Sequence, residues 1–126
     1  MIEYKVKVHT NGTKEWYLNG KRHREDGPAI EYTVSGNKQW HLHGELHRED
    51  GPAIEYTDGE KHWYLNGERH REDGPASEYP SGDKSWYLNG KQLTEDEFNQ
   101  RMNPPTKEMT IKELEKELGY SIKIVK

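Results

Sequence analysis

Histidine, arginine, glutamate and aspartate stand side by side three times in this chain, at His23-Arg24-Glu25-Asp26, His47-Arg48-Glu49-Asp50 and His70-Arg71-Glu72-Asp73. An imidazole beside two carboxylates can move protons or ligate a metal, because ring nitrogen and carboxylate oxygen serve both purposes. Repetition argues for a different use. A catalytic centre gathers unlike residues in one pocket, whereas equal copies form a ladder. In such a ladder a carboxylate caps the turn's backbone amides, and the arginine of one repeat pairs with Glu or Asp of the next. The sequence carries no nucleophile elbow, phosphate-binding loop or dinucleotide fingerprint. The expectation is a protein that is not an enzyme, with no catalytic residue and no cofactor.

The second repeat differs from the others, with His41 and His43 where Tyr and Asn stand elsewhere. Two histidines at i and i+2 are expected to share a strand face. With His47 they make a partial zinc or nickel set, but a third and fourth ligand are not specified. The expectation is no metal, and His41 and His43 are assigned to an exposed polar face that responds mildly to pH.

The elements that position these residues follow from the period. The blocks Trp16-Tyr-Leu-Asn-Gly, Trp63-Tyr-Leu-Asn-Gly and Trp86-Tyr-Leu-Asn-Gly, with the variant Trp40-His-Leu-His-Gly, step by 24, 23 and 23 residues. A fixed period in this range marks a supersecondary unit stacked along an axis, each copy contacting mainly its neighbours. Within one unit Ala53-Ile54-Glu55-Tyr56, Thr57-Asp58-Gly59-Glu60 and Lys61-His62-Trp63-Tyr64-Leu65 read as strand, turn and strand. Asn11-Gly12, Ser35-Gly36 and Ser81-Gly82 are the equivalent turns, and the inserted Val34 should lengthen a loop only. Four hairpins are expected, joined by crossovers into an antiparallel meander. Alternation puts Trp and Leu on one face. The simplest register buries Ile54 and Tyr56 with them and leaves Tyr64, Asn66 and Glu55 on the other side. The partial first copy, from Ile2 to His9, should cap the N-terminal edge.

After Gly90 the pattern stops. Thr94-Glu95-Asp96-Glu97 and Thr110-Ile111-Lys112-Glu113 read as capping boxes that open two helices, separated by Pro104 and Pro105. Gly119 is placed as a C-terminal cap, and Tyr120 to Val125 as a short alternating strand. The expected architecture is mainly β: residues 1–93 form a repeat array of about four units, and residues 94–126 a helical cap with a terminal strand.

Composition fits one domain of 126 residues, 29% hydrophobic and 33% charged, with net charge -4. The four Trp and eight Tyr supply much of its apolar area. The absence of cysteine excludes disulfides and thiolate metal sites, and a cytoplasmic location is expected. No stretch reads as a membrane span or a signal-peptide core. The 19 basic and 23 acidic residues are interleaved, which argues against direct nucleic-acid binding.

The period, the hairpin and the order of residues in "WYLNGERHREDGPASEY" resemble the MORN repeat, especially its bacterial variant. They resemble still more closely the HREDGPA-type repeat proteins of tailed phages. The likeness covers Val8 to Gly90 and implies a sheet of tandem β-hairpins. MORN units usually carry a second glycine where this chain has Arg-Glu-Asp-Gly-Pro, so membrane binding is not carried over.

Two functions are expected from different classes. The first is a protein-binding module that docks on a protein partner through the Tyr17, Tyr64 and Tyr87 row, with His41 and His43 beside it, or through an incompletely covered Trp/Leu stripe. The phage resemblance implies a host factor as that partner, and inhibition of a bacterial defence enzyme as the outcome. The second is a small-ligand sponge, in which Arg24, Arg48 and Arg71 hold nucleotide-like anions. A structural scaffold or membrane-surface role ranks third, since no basic amphipathic stretch is present. Self-association is left open.

Overall fold

Turn chemistry dictates the outline. In the computed structural model, which describes residues 2–104, 106 and 108–123, the glycines Gly12, Gly36, Gly59 and Gly82 all take positive φ at the expected hairpin turns. Val34 lies in a loop one residue longer than its counterparts: Gly36 donates to Tyr32 O, four residues back, where Gly59 donates to Tyr56 O, three back. A second set of turns is as tight. Asn19-Gly20, His43-Gly44, Asn66-Gly67 and Asn89-Gly90 have positive φ at both residues, the signature of a two-residue type I′ hairpin. The places read as hairpin ends are therefore hairpins themselves, so each unit holds two rather than one.

The strands are β1 (Tyr4–Val8), β2 (Lys14–Leu18), β3 (Lys21–Arg22), β4 (Ile30–Glu31), β5 (Lys38–Gln39), β6 (His41–Leu42) and β7 (Glu45–Leu46). They continue as β8 (Ile54–Glu55), β9 (Lys61–His62), β10 (Tyr64–Leu65), β11 (Glu68–Arg69), β12 (Ser77–Glu78), β13 (Lys84–Leu88) and β14 (Lys91–Leu93). One antiparallel meander runs β1-β2-β4-β5-β8-β9-β12-β13-β14, with β3 beside β2, while β6-β7 and β10-β11 are separate small hairpins. The expected β meander is the observed fold.

The register differs from the simplest one. Ile54 is opposite His62 and Gln39, and Glu55 is opposite Lys61 and Lys38. Across the sheet this makes one uninterrupted row, Lys14-Glu31-Lys38-Glu55-Lys61-Glu78-Lys84, in which every neighbour has the opposite charge. The tryptophans share the side of this charged row, since the Arg48 guanidinium both lies on the Trp40 ring and bonds Glu55. Ile54 and Trp63 are thus on opposite sides, and Glu55 is on the tryptophan side.

A sheet one layer thick has nothing to cover a full tryptophan stripe, so Trp16, Trp40 and Trp63 stay half-buried. Within the array most buried positions are small or polar instead: Ala29, Ala53, Ala76 and Ser77 are 0% exposed, with His23, His41 and His62 close behind, and Ile30 is the large apolar exception ahead of the Leu88 cluster. Each buried alanine carbonyl accepts the amide of a tryptophan, Ala29 from Trp16, Ala53 from Trp40 and Ala76 from Trp63, all at 2.8 Å. Tyr56 and Tyr79 flank the buried His62 ring edge-on.

The array ends by converting its own repeat. Counting from Trp86, Leu93 and Thr94 stand where His70 and Arg71 stand after Trp63, while Glu95 and Asp96 keep the places of Glu72 and Asp73. Glu97-Phe98 then replaces the Gly74-Pro75 pair, and the chain continues as helix α1 (Glu95–Met102) instead of crossing over. Thr94 caps it in a full capping box, and the retained acids sit in its first turn, where the helix dipole favours negative charge. Phe98 packs with Leu88 and Leu93, with Trp86 and Met102 alongside.

Helix α2 (Ile111–Leu118) also opens with a capping box, at Thr110, and closes on left-handed Gly119. It buries none of its residues, so the cap is α1 alone. The strand expected at Tyr120 to Val125 is not formed over residues 120–123, where the Ile122 amide donates to Glu115 instead. Residues 124 and 125, and Pro105, lie outside the described residues. The N-terminal strand β1 occupies the sheet edge as expected, but its Tyr4, Val6 and Val8 are exposed rather than covered.

Candidate functional site

Each His-Arg-Glu-Asp block is a crossover that folds back on its own arginine. Arg48 donates from Nε to Asp50 at 3.0 Å, and from Nη1 to the Pro52 carbonyl at 3.1 Å and to Glu55 at 3.0 Å. Its guanidinium carbon lies 3.9 Å from the centre of the Trp40 ring. Arg24 repeats this with Asp26, Pro28, Glu31 and Trp16, and Arg71 with Asp73, Pro75, Glu78 and Trp63. Glycine is required inside the loop, because a Cβ at Gly51 would come within 2.9 Å of the Arg48 guanidinium carbon. The arginine partner is therefore an aspartate in the same block and a glutamate seven residues on, not a carboxylate of the next block. The bond from Arg71 holds the Asp73 carboxyl below its usual range.

The histidines bind adjacent units together. His23 Nδ1 accepts the His43 amide, His47 Nδ1 the Asn66 amide and His70 Nδ1 the Asn89 amide, each at 2.9 Å. With Nδ1 used as an acceptor, the ring proton sits on Nε2, which faces Glu25, Glu49 and Glu72 at 3.3 to 3.5 Å. Backbone bonds reinforce the seam: Gly44, Gly67 and Gly90 donate to Arg22, Leu46 and Arg69 of the preceding hairpin at 2.8 Å. The imidazole-carboxylate sets that could have done chemistry thus serve as inter-repeat connectors. Among the described residues, no three His, Asp or Glu side chains gather as a metal-binding group.

The loops wall two open grooves on the tryptophan side, one repeat apart. The first, of about 700 Å³, runs between the crossovers at 24–27 and 47–50 over Trp40 and Leu42. The second, of about 650 Å³, runs between those at 48–52 and 70–73 over Trp63 and Leu65. Their rims are acidic. The side chains of Glu25, Asp26, Glu49, Asp50, Glu72 and Asp73 are 73 to 87% exposed, whereas the arginines are 21 to 23% exposed. In the last unit the equivalent leucine, Leu88, is buried against Phe98 of α1, with Met102 and the still half-buried Trp86 packed alongside.

The residues expected to bind a partner are elsewhere. Tyr17 and Tyr64 lie opposite Arg22 and Arg69 in the small hairpins, and Tyr87 opposite Gln92. None is a free anchor: Arg69 donates to the hydroxyls of Tyr64 at 3.0 Å and Tyr87 at 3.4 Å, and Lys7 lies over Tyr17. All three are half-buried.

His41 takes the tyrosine position and is 6% exposed, not on an exposed face. Its Nε2 meets Gln39 at 3.1 Å, while Nδ1 has no hydrogen-bond partner. Burial, followed by the charge of Arg22, lowers its pKa below the ordinary imidazole value. His43 begins the type I′ turn at φ 51. The i, i+2 strand geometry expected of the pair is therefore broken, and the His43 ring packs on His23 at 4.6 Å instead. The groove floors are the incompletely covered Trp/Leu stripe expected as the alternative docking surface. The available signal was the absence of a second apolar layer to cover them.

Comparison with known proteins adds no assignment: no family model, curated protein or solved structure matches the chain. No helix among the described residues is long and apolar enough to cross a membrane.

Proposed function

We propose that this protein is a non-enzymatic binding module that engages a protein partner stoichiometrically through the grooves of its tryptophan side. The observation that carries this reading is the contrast along the array. Leu88 is buried against Phe98 of α1 in the last unit, whereas its counterparts Leu42 and Leu65 stay half-buried on the floors of the two grooves before it. A half-buried aromatic at the centre of a groove is the usual anchor of an interface. The crossover residues support a binding role over catalysis, since each histidine and arginine is spent on the fold in three equal copies. The arginine sponge loses support for the same reason, because Arg24, Arg48 and Arg71 each hold two carboxylates and a carbonyl.

A cytoplasmic setting suits the cysteine-free chain. The phage resemblance makes a bacterial defence protein the first partner class to test. Leu42→Ser with Leu65→Ser should abolish formation of the complex while the β-sheet circular dichroism is kept. Tyr64→Ala with Tyr87→Ala, on the other face, should weaken binding only as far as it lowers stability. Retention of the complex in the leucine variant, with loss in a folded tyrosine variant, would move the site to the tyrosine face.

A further inference from the structure

The grooves specify the chemistry of what lies in them. We infer that they accept a basic segment of a partner protein in the polyproline II conformation, with a cationic side chain at every third residue; this rests on the protein-binding reading above. Two features of the structure carry the inference: complementary charge and spacing.

Every rim position that faces solvent is a carboxylate; the aspartates Asp26, Asp50 and Asp73 are each paired with the arginine of their own block, whose guanidinium is tied down against tryptophan and the loop backbone and does not reach the rim glutamates. Glu25, Glu49 and Glu72 touch only an imidazole, at 3.3 to 3.5 Å. Their acceptor capacity therefore remains for an incoming guanidinium or ammonium. The floor supplies the rest of the recognition, since the aliphatic stem of Arg or Lys packs on apolar surface while its head stays at the polar rim. Free Trp40 and Trp63 edges beside Leu42 and Leu65 offer that surface.

The spacing follows from the sheet. Each unit contributes two strands to the meander, so successive grooves are about 10 Å apart at the usual interstrand distance, close to one three-residue turn of a polyproline II segment, in which every third side chain returns to the same face. A segment running along the array can thus place each third side chain in the next groove. On the fourth unit the leucine of the floor, Leu88, already receives a side chain, that of Phe98.

The test is calorimetric titration of the full chain with peptides of one composition carrying arginine at every second, third or fourth position. The third-position peptide should bind about tenfold more tightly than either of the others, a difference of about 1.4 kcal/mol, and its affinity should fall as salt rises. Glu49→Gln with Glu72→Gln should remove that preference, and so should the fuller set that adds Asp50→Asn and Asp73→Asn. The glutamine pair keeps the arginine cluster untouched, so it stays informative if the fuller set unfolds. Equal affinity at all spacings, or preference for another spacing, overturns the inference. A protein partner lost on Leu42→Ser with Leu65→Ser but indifferent to these peptides would overturn it while leaving the binding function intact.

Discussion

Arg48 is held by a ring, two carboxylates and a carbonyl at once, and that geometry separates its effects from those of its partners. Lysine cannot lie flat on Trp40 and still fork to Glu55 and Asp50. Arg48→Lys should therefore cost about 2 kcal/mol, combining a stacked cation with charge-assisted bonds. Asp50→Ala, at a largely exposed position, should cost about 0.5 kcal/mol; urea melts of both variants check the order. His41 gives a pH prediction. Its pKa is lowered in the folded protein, so the unfolded chain binds the proton more readily. Stability rises with pH where the unfolded state carries more protons. The contribution is complete above the ordinary imidazole pKa of about 6.5 and is lost as pH falls below it. His41→Tyr, which restores the residue of the other repeats, should flatten that acid-side decline in melts taken across this range.

At the scale of elements, α1 is the one covering layer, and Phe98 is its one buried residue. Phe98→Ala should cost about 3 kcal/mol, as for deletion of a buried aromatic. It should also release the helix signal of α1 while the sheet persists, which circular dichroism and amide exchange would resolve. Trp40→Ala should cost less than a fully buried tryptophan would, about 2 kcal/mol, because half the ring is already hydrated and the main loss is the Arg48 stack. A loss above that of Phe98→Ala in the same melts would mean that the tryptophan side is covered in solution.

For the whole molecule the seam between units decides behaviour. Every unit makes the same histidine-to-amide and glycine-to-carbonyl bonds to the next, so stability should divide into units and nearest-neighbour interfaces. Deleting residues 47–69, one full period, joins Leu46 to His70 and restores an equivalent seam. The shortened chain should fold with the same spectrum, melt at a lower temperature and lose one groove. Loss of folding in calorimetry would show that the units are not interchangeable.

Period, turns and caps were legible in the chain because they are local. Glycine at positive φ and a threonine three residues before a glutamate each act within a few residues of themselves, and the 23-residue recurrence repeats those local signals. The β meander, Val34 as a loop insertion, and both capping boxes follow from such signals. Sides and partners were not local. Whether Trp63 faces Ile54 or Glu55 depends on the register across β8 and β9, and a shift of one residue exchanges the two faces. Asn66-Gly67 could be read as the end of one hairpin or the turn of another, and only the pairing of β10 with β11 decides between them. The terminal strand needed a neighbour that the fold does not bring to residues 120–123. The grooves exist because a single-layer sheet leaves Trp40 and Trp63 without a second layer, and α1 buries only the last leucine of the stripe, Leu88.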